Sequence, residues 1–74
     1  MNYIAVKIQV LPNLDYVTDV LNSLLGDIGY ESFEADDQGI KAYVQESAFN
    51  ETKLRSVFDS FPYEATFKYS VESI

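Results

Sequence analysis

The apolar residues of this chain keep changing period, and that succession fixes the order of elements before any motif does. In "YIAVKIQV", residues 3–10, Ile4, Val6, Ile8 and Val10 fall on one side, with Tyr3, Ala5, Lys7 and Gln9 on the other. A two-residue period in β-branched side chains predicts a half-buried strand. From Leu14 the spacing switches: Leu14, Val17, Val20, Leu21, Leu24, Leu25 and Ile28 form one broad helical stripe. Period two returns over 30–36, "YESFEAD", and 40–46, "IKAYVQE". Leu54, Val57, Phe58 and Phe61 then mark a second helix at about 51–60. A last strand is predicted over 64–71, "EATFKYSV", with Ala65, Phe67, Tyr69 and Val71 inward.

The punctuation agrees with these elements. Pro12 ends the first strand, and Asn13 is placed to cap the first helix with Asp15 near the positive end of its dipole. Gly29 suits the position after that helix, where positive φ stops it, and Gly26 weakens its last turn. Asn50 is expected to cap the second helix, with Phe49 and Leu54 at the spacing of a hydrophobic staple. The order is therefore β-α-β-β-α-β with short connections. Right-handed crossovers around a central hairpin make the predicted fold α+β: a ferredoxin-like sandwich of four antiparallel strands with both helices on one face. The weakly apolar 30–36 strand belongs at an edge. Residues 1–74 form a single domain.

Composition then narrows the chemistry. The 74 residues contain no Cys and no His, which excludes a disulfide framework and the usual zinc ligands. No apolar run reaches the ~20 residues of a membrane span, and the alternating start is unlike a signal peptide, so a cytoplasmic setting is expected. Twelve acids against five bases give a net charge of -7. That argues against nucleic acid, whose phosphates require concentrated Lys and Arg. It is compatible with solubility alone or with a basic protein partner.

One stretch imitates a metal loop. "EADDQG", residues 34–39, nearly copies the start of a calcium loop. The twelfth position, however, carries the neutral Gln45 where a bidentate Glu is needed, and the flanks are strands. A hairpin through Asp36-Asp37-Gln38 is expected, with Gly39 left-handed at a bulge. Catalysis finds no better support. Glu31 and Glu34 are expected on opposite faces of their strand, and Asp15 and Asp19 read as solvated helix surface. No Gly-rich loop joins a strand to a helix, so no cofactor, metal or catalytic residue is assigned.

What remains is the sheet face turned away from the helices, where register places Tyr3, Lys7, Lys41, Tyr43 and Lys68. Rings interleaved with Lys suggest RNA stacking, but only one outward ring lies on the 40–46 strand. A plain solvent-facing sheet and a face covered by a partner are the two other readings. Tyr3, Lys7, Lys41 and Tyr43 are the candidate partner-contact residues.

The openings and joins of the chain also carry a resemblance. "NYIAVKI", "LLGDIGYESFEADDQGIKAYV" and "FPYEATFKYSVESI" resemble the N-terminal domain of the bacterial methyltransferases that modify large-subunit ribosomal protein eleven, the PrmA family. The likeness runs through all 74 residues, in a compact form with a short turn at 36–39. The resemblance implies a non-catalytic domain that recognises the ribosomal protein. A downstream Rossmann-type domain, absent here, would use S-adenosylmethionine to methylate lysine or amino-terminal groups. On that reading the chain is a fragment of the enzyme, monomeric, with the ribosomal protein and its own catalytic domain as partners. The alternative is an ACT-like regulatory module, which shares the element order but binds an amino acid at a dimer interface.

Overall fold

In the structure, a computed structural model describing residues 2–74, four strands make one antiparallel sheet in the order β2-β3-β1-β4. The elements are β1 (Tyr3–Leu11), α1 (Asp15–Asp27), β2 (Ser32–Asp36), β3 (Gly39–Gln45), a short 3-10 turn (Glu46–Ala48), α2 (Glu51–Asp59) and β4 (Thr66–Ser73). The ferredoxin-like α+β architecture is the one that the periodicity predicts, and β2 is an edge strand as expected.

The two central strands carry the core. Ile4, Val6, Ile8 and Val10 of β1 and Ile40, Ala42 and Val44 of β3 are buried, and α1 adds Val17, Leu21 and Leu25. Leu54 and Val57 of the shorter α2 complete it. No polar or charged residue is buried among the described residues. The β4 side is filled differently, by rings in series. Tyr16 meets Tyr63 edge-on at 5.4 Å, Phe61 meets Phe67 at 4.9 Å, and Phe58 stacks on Phe67 at 4.8 Å. Offset and edge-on pairs of this kind add to simple area burial. The cover stops short of the strand's end: Val71 faces the helix side as expected, yet is 41% exposed.

Both helix ends behave according to their backbone chemistry, with one correction. Asn50 caps α2 as predicted, accepting from the Lys53 amide at 3.1 Å. The end of α1 is a Schellman arrangement: Tyr30 N–H donates to the Leu25 carbonyl, Gly29 N–H to that of Gly26, and Gly29 has φ +111. Asn13, however, does not cap α1. Leu14 stands at the cap position without a side-chain bond, and Asn13 Nδ2 donates instead to the carbonyls of Asp36 and Asp37. The amide thus ties the start of α1 to the hairpin tip, a contact between residues over twenty positions apart.

The hairpin itself is a second correction. Gly39 has φ +159, near extended rather than left-handed. Glycine is required because a Cβ there would lie 2.2 Å from the Ile8 carbonyl oxygen. No other residue type has positive φ among the described residues, so the turn is not of the usual twisted kind. It is held by Asp36, whose Oδ1 accepts from the Gln38 and Gly39 amides, each at 2.8 Å. Val10 N–H donates to the Gln38 carbonyl, which fastens the tip to β1. In "EADDQG" the Asp36 carboxylate therefore serves the turn.

Candidate partner-contact face

Register sets the composition of the open sheet face. β1 contributes Tyr3, Ala5, Lys7 and Gln9; β3 contributes Lys41, Tyr43 and Gln45 opposite them. On the flanks, β4 places Lys68 opposite Gln9 and Glu72 opposite Ala5, and β2 places Ser32 opposite Tyr43 and Glu34 opposite Lys41. The four candidate residues, Tyr3, Lys7, Lys41 and Tyr43, thus share one face. Ala5, at its centre, is fully covered by its neighbours despite facing outward.

A carboxylate unexpected on this face organises it. Glu31 N–H donates to the Tyr43 carbonyl, while Ser32 pairs with Tyr43 in the ladder. Two residues of one strand thus oppose one of the other, a β-bulge that re-aims the side chain at its first position. Glu31 accordingly shares a face with Glu34, not the opposite one expected from strict alternation. Its Oε1 accepts from the Tyr3 hydroxyl at 2.9 Å and its Oε2 from Gln45 Nε2 at 2.8 Å. Glu34 accepts from the Tyr43 hydroxyl. The sequence did carry a sign of this: Tyr30 and Phe33, both turned toward the core, lie three apart and so break a period of two.

These bonds fix the electrostatics. Hydrogen bonding to Glu31 raises the pKa of Tyr3, and hydrogen bonding to Glu34 raises that of Tyr43, because ionising either phenol would break a bond to a negative oxygen. Lys41 Nζ lies 5.9 Å from the Tyr43 ring centre, within cation–π range. Three of the five basic residues, Lys7, Lys41 and Lys68, stand here against Glu31, Glu34 and Glu72. The face is balanced in charge, so the excess of acid lies on the helices, their connections and the hairpin tip. The charges are also sorted. Glu31 and Glu72 lie toward the Tyr3–Tyr43 end, Glu34 stands opposite Lys41, and Lys7 and Lys68 line a cavity of about 270 Å³ toward the hairpin, with Gln9 and Gln38.

Comparison with known proteins finds relatives along nearly the whole chain. A ribosomal protein L11 methyltransferase of Phocaeicola vulgatus is 36% identical over 73 residues, covering 97% of this chain and 26% of the relative. The protein of that name from Bacteroides fragilis is 37% identical over 62 residues, covering 84% of this chain and 22% of its own length. This chain is homologous to part of the ribosomal protein L11 methyltransferases. A third, from Bacteroides thetaiotaomicron, is 32% identical over 72 residues, 93% of this chain and 26% of the relative. The chain spans about a quarter of the length of these curated relatives. No family model and no solved structure matches it.

An L11 methyltransferase implies a methyl donor, and the residues here do not fit one. The Rossmann-type cradle for a nucleoside cofactor uses a glycine-rich turn between a strand and a helix. The β1–α1 connection, Pro12–Leu14, contains no glycine. Gly26 and Gly29 serve the end of α1, and the space beside Gly39 is filled by the β1 backbone. No group of three or more carboxylates able to hold a metal occurs among the described residues, and no helix there is long and apolar enough to cross a membrane.

Proposed function

We propose that this chain is the N-terminal recognition domain of a ribosomal protein L11 methyltransferase, and that it binds and orients the ribosomal protein without taking part in methyl transfer. The observation that carries this reading is the match along 97% of the chain to proteins of that name, of which it spans about a quarter. The lack of a donor cradle supports it, since chemistry then falls to a separate catalytic domain using S-adenosylmethionine. Holding a lysine or amino terminus near that donor lowers the barrier by making the encounter effectively intramolecular. The domain is monomeric and cytoplasmic, and its partners are L11 and its own catalytic domain, with no direct nucleic acid. Tyr3, Lys7, Lys41 and Tyr43 form the contact face, a role supported by their shared side of the sheet and by its sorted charges.

The test is titration of the isotope-labelled chain with ribosomal protein L11 at low and high salt. Saturable amide shifts in β1 and β3, weaker at high salt, are expected. Silence at roughly millimolar partner, where binding free energies fall to about 4 kcal/mol, would overturn the recognition role. Shifts confined to α1 and α2 would move the contact to the acidic helical side.

A further inference from the structure

The acidic end of the open face contains a hollow. Tyr3, Glu31, Ser32, Tyr43 and Ile74 line a shallow cavity of about 440 Å³. Its walls are held in place by hydrogen bonds. The Tyr3 ring is pinned through its hydroxyl to Glu31, the Glu31 carboxylate is held from its other oxygen by Gln45, and the Tyr43 ring is pinned to Glu34. Rings fixed in this way lose little further freedom on binding. A phenol donating to a carboxylate also keeps its ring electron-rich, which strengthens attraction for a cation over the ring.

Carboxylates outnumber ammonium groups around the hollow. Glu31 lines it, Glu34 holds one wall, and Glu72 stands one strand away from Tyr43, across Ala5. Lys7 and Lys41 face each other one step further toward the hairpin, and Lys68 lies beyond them. The chain's own Lys41 approaches the Tyr43 ring from that hairpin side, which shows that this ring can be approached by an ammonium. The Tyr3 side of the ring belongs to the hollow. An anion placed there would face Glu31 directly, whereas a lysine or arginine side chain would meet two ring walls and a carboxylate.

We infer that the Tyr3–Glu31–Tyr43 hollow is a seat for one cationic side chain, a lysine or arginine, on the protein partner. The inference rests on the recognition reading for the partner being a protein, and it adds the chemistry of the contact. The seat binds the cation; it transfers nothing to it.

The test uses the labelled 74-residue chain with acetyl-lysine amide and acetyl-arginine amide, and acetyl-norleucine amide as the uncharged control. Saturable shifts at Tyr3, Ser32 and Tyr43 with the two cations and not with norleucine are expected. Glu31→Gln should weaken binding about two- to fivefold, the scale of a partly exposed ion pair. Ser32→Leu, which fills the hollow without changing charge, should abolish the shifts while leaving the rest of the spectrum in place. Absence of saturable shifts at roughly 100 mM probe, where any specific seat would register, would overturn the inference. Equal shifts from norleucine, or shifts indifferent to both substitutions, would overturn it too. A parallel titration with L11 separates the two readings. If L11 binds while the amino-acid amides do not, the seat fails and recognition stands; the reverse pattern leaves the seat and removes the recognition role.

Discussion

Lys7 stands directly opposite Lys41 in the β1–β3 ladder, on a chain whose net charge is -7. Like charges in that position work against sheet stability. With acids available in such excess, two facing lysines are an arrangement that folding alone does not favour.

Replacing one of the pair should therefore stabilise the free domain. Lys7→Thr removes the repulsion and places a β-branched residue in a central strand, with an expected gain of about 0.2–1 kcal/mol. Because the pair is at the surface, the gain should shrink as salt approaches about 1 M. Urea midpoints at low and high salt measure it. A loss of stability at low salt would show that the lysine stems contribute more by packing than their charges cost.

The glycines separate close approach from helix propensity. Gly39→Ala would push a methyl group into the Ile8 carbonyl oxygen, at 2.2 Å in the present geometry, so the strand must shift. A loss of about 1–3 kcal/mol is expected, as for an overpacked core. Gly26 sits in the last turn of α1, and nothing lies within 4 Å of the point a methyl group would occupy. Gly26→Ala should gain about 0.5–1 kcal/mol from the helix backbone alone. Thermal unfolding of the two variants should move in opposite directions.

Tyr30 gives the domain an alkaline limit. Its hydroxyl is buried without a protein hydrogen-bond partner, and burial pushes its pKa up to about 12, with the nearby Tyr69 phenol adding to the effect. The folded state therefore keeps this proton through a range in which the unfolded chain, with a pKa near 10, has lost it. The stabilisation linked to the proton is complete below pH about 10 and disappears as pH rises to about 12, a change of roughly 2–3 kcal/mol. Tyr30→Phe should flatten that fall. At neutral pH it should be neutral or stabilising by about 1 kcal/mol, since it removes an unpaired polar group. Urea unfolding across pH 7–12 checks both expectations. An equally steep alkaline fall in the variant would place the titration elsewhere, at Tyr3, Tyr43 or Tyr69, whose hydrogen bonds to carboxylates raise their pKa values in the same sense.

Local periodicity settles a good deal of this protein. The six main elements, their order and the two-layer packing follow from where apolar side chains recur, because a strand must bury every second residue and a helix every third or fourth. The Asn50 cap and the Gly29 stop are equally local, each satisfied within one helical turn. Asn13 had the same local chemistry as Asn50 and took a different role, because the hairpin carbonyls were within its reach in space and in no sense near in sequence.

Periodicity along the chain was enough to set the layers and which strands' odd or even residues face outward, and so to place Tyr3, Lys7, Lys41 and Tyr43 on one side of the sheet. It could not place Glu31 beside them. That required a bulge at Glu31–Ser32, which shifts a side chain from one face to the other, and a partner strand to define the shift. Nor could it give the reason for Gly39, which is the nearness of β1, a strand some thirty residues away. Period and propensity act over a few residues and are written along the chain. The meeting of Glu31 with Tyr3 depends on strand pairing between distant segments, and only the folded sheet supplies it.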